Sequence, residues 1–117
     1  MASNKLIVEA QKHNGHMKAI LTINDFSKGG PSECSGKYYH NSIPIVALST
    51  RWYNKGKRCF DKITIYANGK STKAMVVDEC DTSRGCKNNI VDASEAVWKK
   101  LGVPKKDWGW LEIQWSD

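Results

Sequence analysis

The run 76–102, VVDECDTSRGCKNNIVDASEAVWKKLG, constrains the fold more than any other part of the chain. Val76-Val77 reads as the end of a buried strand that delivers Asp78. Asn89-Ile90-Val91 reads as a second apolar step that delivers Asp92. Cys80 and Cys86 bracket a short loop between them. Two carboxylates leaving the ends of two buried strands are expected near one rim of a closed sheet, where they either build a polar site or hold loops in place. Asp92 is also positioned to cap a helix. Glu95 follows three residues later as in a capping box, and Gly102 and Pro104 end the helix read over 93–101. On that reading Asp92 is the N-cap, and Asp78 accepts backbone N–H bonds from the Cys80 loop.

The strands around this run follow from alternation. Met17, Ala19, Leu21 and Ile23 make one apolar face of a first strand. Ile43 to Leu48 is a short apolar strand, with Pro44 at its start or on an edge because proline donates no ladder bond. Ile63 and Ile65 alternate with Thr64 and Tyr66, and 72–77 is the returning strand. Asn68-Gly69 joins them as a type I′ hairpin pair, both positions needing positive φ. Leu111, Ile113 and Trp115 form the inner face of a last strand, opposite Trp110, Glu112 and Gln114. About six short strands and one or two short helices in 117 residues predict a small closed barrel, which leaves no exposed sheet edge. The domain is read over 15–117, with 1–14 an N-terminal arm.

Four cysteines suit two disulfides and an oxidising compartment. None forms a CxxC, and His13, His16 and His40 lie outside their spacing, so no metal and no other cofactor is expected. Leu6-Ile7-Val8 is too short for a secretory leader, so a secreted protein would be in its mature form. No segment is long enough to span a membrane. Eighteen Lys and Arg against twelve Asp and Glu give a net charge of +6. Part of that excess clusters at Arg51, Lys55, Lys57, Arg58 and Lys62, where only Asp61 opposes it. A basic cluster beside Trp52 and Tyr53 has the composition of a protein-binding hot spot, and the charge would speed encounter with an acidic partner. Nothing points to nucleic acid, and a monomer is expected.

Several of these motifs, in order, resemble a known family. Ala47-Leu48-Ser49-Thr50, Val76-Val77-Asp78-Glu79-Cys80, Asn88-Asn89-Ile90-Val91-Asp92-Ala93-Ser94 and the ending Trp108-Gly109 to Trp115-Ser116-Asp117 are similar to kiwellin and the ripening-related proteins of plants. Pro31-Ser32-Glu33-Cys34-Ser35-Gly36-Lys37-Tyr38 fits the same pattern. More distantly, the chain resembles barwin, expansins and family-45 endoglucanases. The resemblance implies a mainly β, six-stranded double-psi β-barrel. It implies a secreted, apoplastic plant defence protein that is not an enzyme and that recognises, or inhibits, a secreted pathogen protein such as a fungal chorismate mutase. The chain departs from the family in its nearly absent insertion between Cys86 and Asn88. The resemblance to expansin-type barrels implies a Cys34–Cys59 bond, leaving Cys80–Cys86. The hairpin offers another pairing, Cys59–Cys80 with Cys34–Cys86.

Candidate site residues follow from both lines. The partner-binding set is Arg51, Trp52, Tyr53, Lys55, Lys57, Arg58 and Trp110. The alternative function is a cell-wall glycan binder or weak hydrolase, with Asp92 matching the general acid of the endoglucanases and Asp78 as the second carboxylate. Trp52, Tyr53, Trp108 and Trp110 would then form an aromatic platform for sugar. A ribonuclease reading through His13, His16 and His40 lacks any spacing that pairs them.

Overall fold

The computed structural model describes residues 15–117. The arm 1–14 and His13 lie outside the described residues. Six strands close into a barrel: β1 (Met17–Ile23), β2 (Ile45–Ser49), β3 (Lys62–Ala67), β4 (Lys70–Cys80), β5 (Ile90–Ala93) and β6 (Leu111–Ser116), in the spatial order β1-β5-β2-β4-β3-β6. Two pairs are parallel, β1 with β5 and β2 with β4, and the others are antiparallel. Two short helices accompany them, α1 (Thr50–Tyr53) and α2 (Glu95–Lys100). The Asn68-Gly69 turn has φ of 53° and 72°, the positive pair a type I′ hairpin requires.

Alternation sets the interior. Leu21, Val46, Leu48, Ile63, Ile65, Val76, Val91, Ile113 and Trp115 point inward and are fully or almost fully buried, and Trp52 and Trp98 join them from the two helices. β2 is buried along its whole length. Its outer face, Ile45 and Ala47, packs with Val77 under Phe26 from the loop that links β1 to β2. A strand covered on both sides reads as the continuous apolar run found there. β4 runs three residues beyond Val77, to Cys80, because its distal half pairs with β2.

The helix expected over 93–101 is shorter and starts later, and Asp92 does not cap it. The N-cap position is Ser94. Asp92 and Ala93 are held in β5 by ladders on both sides, to Thr22 and Ile23 of β1 and to Ala47 and Val46 of β2. Those long-range pairings keep the backbone extended past the residue that local capping rules select.

Ser94 has a different task. Its backbone N–H donates to Ile45 O, its hydroxyl donates to Ile43 O at 2.7 Å, and it accepts from Ile45 N at 3.2 Å. At the opposite end of the same strand pair, the Ser49 hydroxyl donates to Lys87 O and accepts from Ile90 N at 2.8 Å. Both serines are fully buried. The β2–β5 ladder is thus closed at each end by a serine hydroxyl. Ser49→Ala and Ser94→Ala each orphan a backbone N–H at the end of a buried strand. Each is expected to cost about 1–3 kcal/mol, and the two costs should add because the sites are a full strand apart. Urea unfolding of the single and double variants measures this; a double variant no worse than either single one would contradict the two-clamp account.

Candidate functional site

The two acids meet across β2. Ala47 is the register partner of Asp78 on β4 and of Asp92 on β5, and Thr22 of β1 is the next partner of Asp92. Directly paired residues share a face, so Thr22, Asp92, Ala47 and Asp78 form one row across four strands on the outer side of the barrel. The β1–β2 loop lies over this row. Its anchors are the Cys34–Cys59 disulfide, the Cys34 N–H bond to Val77 O and the seating of Phe26 on Ala47 and Val77. A second clip closes its base, where Asp25 Oδ1 accepts from Ser27 and from Asn41 Nδ2, and Asn41 Oδ1 accepts from Phe26 N. The Ser27 hydroxyl, then the Asn41 amide, hold the exposed Asp25 carboxyl down at about 2. Its contribution to stability is therefore present above the ordinary carboxylate range and is lost only as pH falls through about 2.

Asp78 serves the loop directly. One of its oxygens accepts from Glu33 N at 2.9 Å and from Glu79 N at 2.8 Å. The first of these bonds reaches the Cys34 segment and not the Cys80 loop, the partner expected from sequence. Asp81 ties the Cys80 loop instead, accepting from the backbone and the hydroxyl of Ser83, and the Cys80–Cys86 disulfide closes it.

Asp92 accepts one bond, from Thr22 Oγ1 at 2.7 Å. Burial pushes its carboxyl above the ordinary range; the Thr22 bond opposes that shift and the Asp78 charge adds to it. The folded state therefore holds this proton more tightly than the unfolded chain does. The cost of ionising Asp92 is absent below the unfolded value of about 3.9 and grows as pH rises through the folded value. Asp92→Asn keeps an oxygen for Thr22 and removes the charge. The variant is expected to melt above the parent at pH 7, with the gap closing by pH 3. A gap of opposite sign at pH 7 would mean the charge stabilises the fold.

The basic cluster divides into inner and outer members. Trp52 and Tyr53 are buried, and Trp52 meets Trp115 edge to face. α1 turns both inward, so neither is part of a surface platform. Burial, followed by the charges of Glu33, Glu79 and Asp78, raises the Tyr53 hydroxyl pKa. Arg58 braces the barrel end. It donates to Trp52 O, pairs with Asp117 at 3.2 Å and lies over the Trp115 ring. Arg51, Lys55 and Lys57 are exposed, though Arg51 also donates to Asn88 O and covers the Trp52 ring.

Sequence reading missed Phe60. It is 51% exposed and has φ of 70°. A bulky residue with positive φ is a genuine backbone outlier. Here the ladder enforces it: Phe60 N donates to Val76 O at 2.7 Å, and Asp61 O accepts from Val76 N at 2.9 Å. Cys59, one residue earlier, is tied by its disulfide. Asn54 and Lys55 also have positive φ. The 54–61 loop is therefore fixed, with Phe60 exposed on the same segment as the exposed Lys55, Lys57 and Lys62. No local pattern between Cys59 and the alternation from Lys62 marks a special backbone there.

Trp110 is 62% exposed but belongs elsewhere. Leu111 pairs with Leu21, so Trp110 comes next in register to Thr22 and borders the acid row. Arg58 is held by Asp117 at the other end of β6, about 20 Å away at ~3.3 Å per residue. Trp108 is tucked against Trp98 and donates to Val103 O. The four-aromatic platform is therefore not assembled. His16 stacks on Tyr66, while His40 bonds Ser42. Among the described residues no His, Cys, Asp or Glu group is arranged to hold a metal ion, and no helix is long and apolar enough to cross a membrane.

Comparison with known proteins adds four findings. A family model described as Kiwellin-1 matches residues 9–117. The chain is 48% identical to putative ripening-related protein 2 of Oryza sativa subsp. japonica over 88% of its own length, and spans 61% of that relative. Among solved structures, the expansin of Clavibacter michiganensis superposes with a TM-score of 0.71 at 19% identity, covering 88% of this chain and 50% of that one. A Streptomyces papain inhibitor does so with a TM-score of 0.67 at 22% identity, covering 88% of this chain and 94% of that one. At such identities these two likenesses define the fold, a double-psi β-barrel.

Proposed function

The chain belongs to the kiwellin family, and from that premise we propose that it is a secreted, non-catalytic binding module of plant defence whose 54–62 face captures an acidic protein released by a pathogen, such as a fungal chorismate mutase. Two disulfides suit the extracellular setting. The observation that carries the reading is Phe60, an exposed aromatic held in a costly backbone conformation on a segment that also exposes Lys55, Lys57 and Lys62. A ring fixed before the partner arrives loses little entropy on binding, and aromatic anchors dominate interface energies. Arg51, Lys55, Lys57 and Lys62 against Asp61 supply a field that speeds encounter with an acidic surface. Trp52, Tyr53 and Arg58 support this face from beneath.

Phe60 gives the test a signature of its own. Glycine tolerates positive φ and alanine does not, so Phe60→Gly should be more stable than Phe60→Ala by about 1 kcal/mol. Both should lose partner affinity at least about tenfold, as expected of a hot spot. Titration with a secreted fungal chorismate mutase measures affinity. Affinity capture from infected plant fluid extends the search if that enzyme does not bind. Unchanged affinity in both variants would remove Phe60 from the interface, and a partner insensitive to Lys55→Glu and Lys57→Glu would remove the face.

The acid row favours a second reading, a cell-wall glycan binder or weak hydrolase. Trp110 borders the row across Thr22 from a carboxyl with a raised pKa and a second carboxylate on the same face, a combination suited to sugar binding and acid catalysis. Against it, one oxygen of Asp78 is committed to backbone N–H groups of Glu33 and Glu79. Retention on cellulose or chitin with reducing-sugar release that Asp92→Asn abolishes would establish turnover and displace the first reading.

A further inference from the structure

Clear of the Phe60 face and two residues along β1 from the acid row, an open groove of about 830 Å³ runs along the outer side of β1 and β6 beneath the β3–β4 hairpin tip. Its size falls within the range of about 300–1,000 Å³ typical of small-ligand sites. We propose that this groove binds a short acidic oligosaccharide, a linear oligomer of uronic acid. The proposal does not depend on the Phe60 reading, because it uses none of the same residues.

The lining has the chemistry for such a ligand. Asn68, Asn89 and Gln114 offer amide groups that can both donate to and accept from sugar hydroxyls. Tyr66 provides one ring face for the apolar face of a sugar, His16 covering the other. That ring is fixed on two sides: His16 stacks on it at 4.1 Å with 13° between planes, and its hydroxyl lies 3.1 Å from Ser116 Oγ. His16 is itself held, with Nδ1 3.0 Å from Gln114 Oε1. Lys18 and Lys70 flank the groove from β1 and from the hairpin, Lys70 with its ammonium resting against Gly102, and the one acid in the lining is Glu112. The excess of positive charge selects carboxylated over neutral sugars.

The same observations disfavour a peptide. β1 is paired on both sides, with β5 and β6, and β3 with β4 and β6. No strand beneath the groove has a free edge for an added strand, and a polar lining does not suit the apolar stripe of a docking helix.

Isothermal titration of the full chain with trigalacturonate at low salt tests this, with cellotriose and triglutamate as comparators. Trigalacturonate should bind saturably, at least about tenfold tighter than either comparator, and weaken as salt is raised. Tyr66→Ala, and separately Lys18→Gln with Lys70→Gln, should each weaken it at least about tenfold. Lys28→Gln with Lys37→Gln, which removes equal charge from exposed positions elsewhere, should leave it unchanged. The lysine variants alter exposed side chains and guard against a folding failure of Tyr66→Ala. Absence of saturable trigalacturonate binding, equal binding of triglutamate, or equal losses in the two lysine pairs would overturn the proposal.

Discussion

Replacing Cys34 and Cys59 together by alanine is expected to lower the free energy of unfolding by about 3.5 kcal/mol, against about 2 kcal/mol for the same change at Cys80 and Cys86. The difference follows from the span each bond closes. The first links residues 25 apart and the second residues 6 apart, and the chain entropy removed from the unfolded state grows with the logarithm of that span. The first loss is a large part of the 5–15 kcal/mol that typically holds a domain together. It should also reach the surfaces. Cys34 fixes the loop over the acid row and Cys59 precedes Phe60, so partner affinity should fall with stability. Urea unfolding of both double variants under non-oxidising conditions tests the ranking. Equal losses would mean that native strain or residual unfolded structure outweighs the span.

Trp98→Ala should cost about 3–5 kcal/mol, the usual range for truncating a large aromatic in a core that cannot collapse around the space. Trp98 is fully buried, donates from Nε1 to Thr22 O at 3.1 Å and carries Trp108 on its outer side. It fastens α2 to the strand that also supplies the hydrogen-bond partner of Asp92. Trp98→Phe keeps most of the apolar volume and loses the indole donor, so it should cost far less, nearer the ~1 kcal/mol net worth of one hydrogen bond plus a small cavity. Chemical denaturation with unchanged m-values reads both. Similar costs for the two variants would show that the hydrogen bond, and not the packing, carries the residue's contribution.

Much of the barrel is legible in the chain because its causes are local. Alternation at Met17 to Ile23 and at Leu111 to Trp115 assigns the inner faces, and Asn68-Gly69 marks the hairpin by its tolerance of positive φ. The continuous apolar run of β2 signals cover on both sides. The site was less legible. Asp92 has the local signature of a helix cap, with Glu95 three residues on, yet the cap position falls to Ser94. Trp52 and Tyr53 sit among charges in sequence and read as surface, yet Trp52 packs on Trp115 near the far end of the chain. Phe60 carries no composition signal at all, because its conformation is imposed by Val76.

Residue types and their spacing determined a closed, mainly β, cystine-braced barrel, two carboxylates delivered to one face, and a basic segment after the second strand. Only the tertiary structure decided which cysteines pair, which aromatics face solvent, and whether each carboxylate caps, clips or titrates. Period and turn chemistry act over a few residues and are written in the chain order. Pairing and burial depend on which distant strands become neighbours, and closure of the barrel alone fixes that.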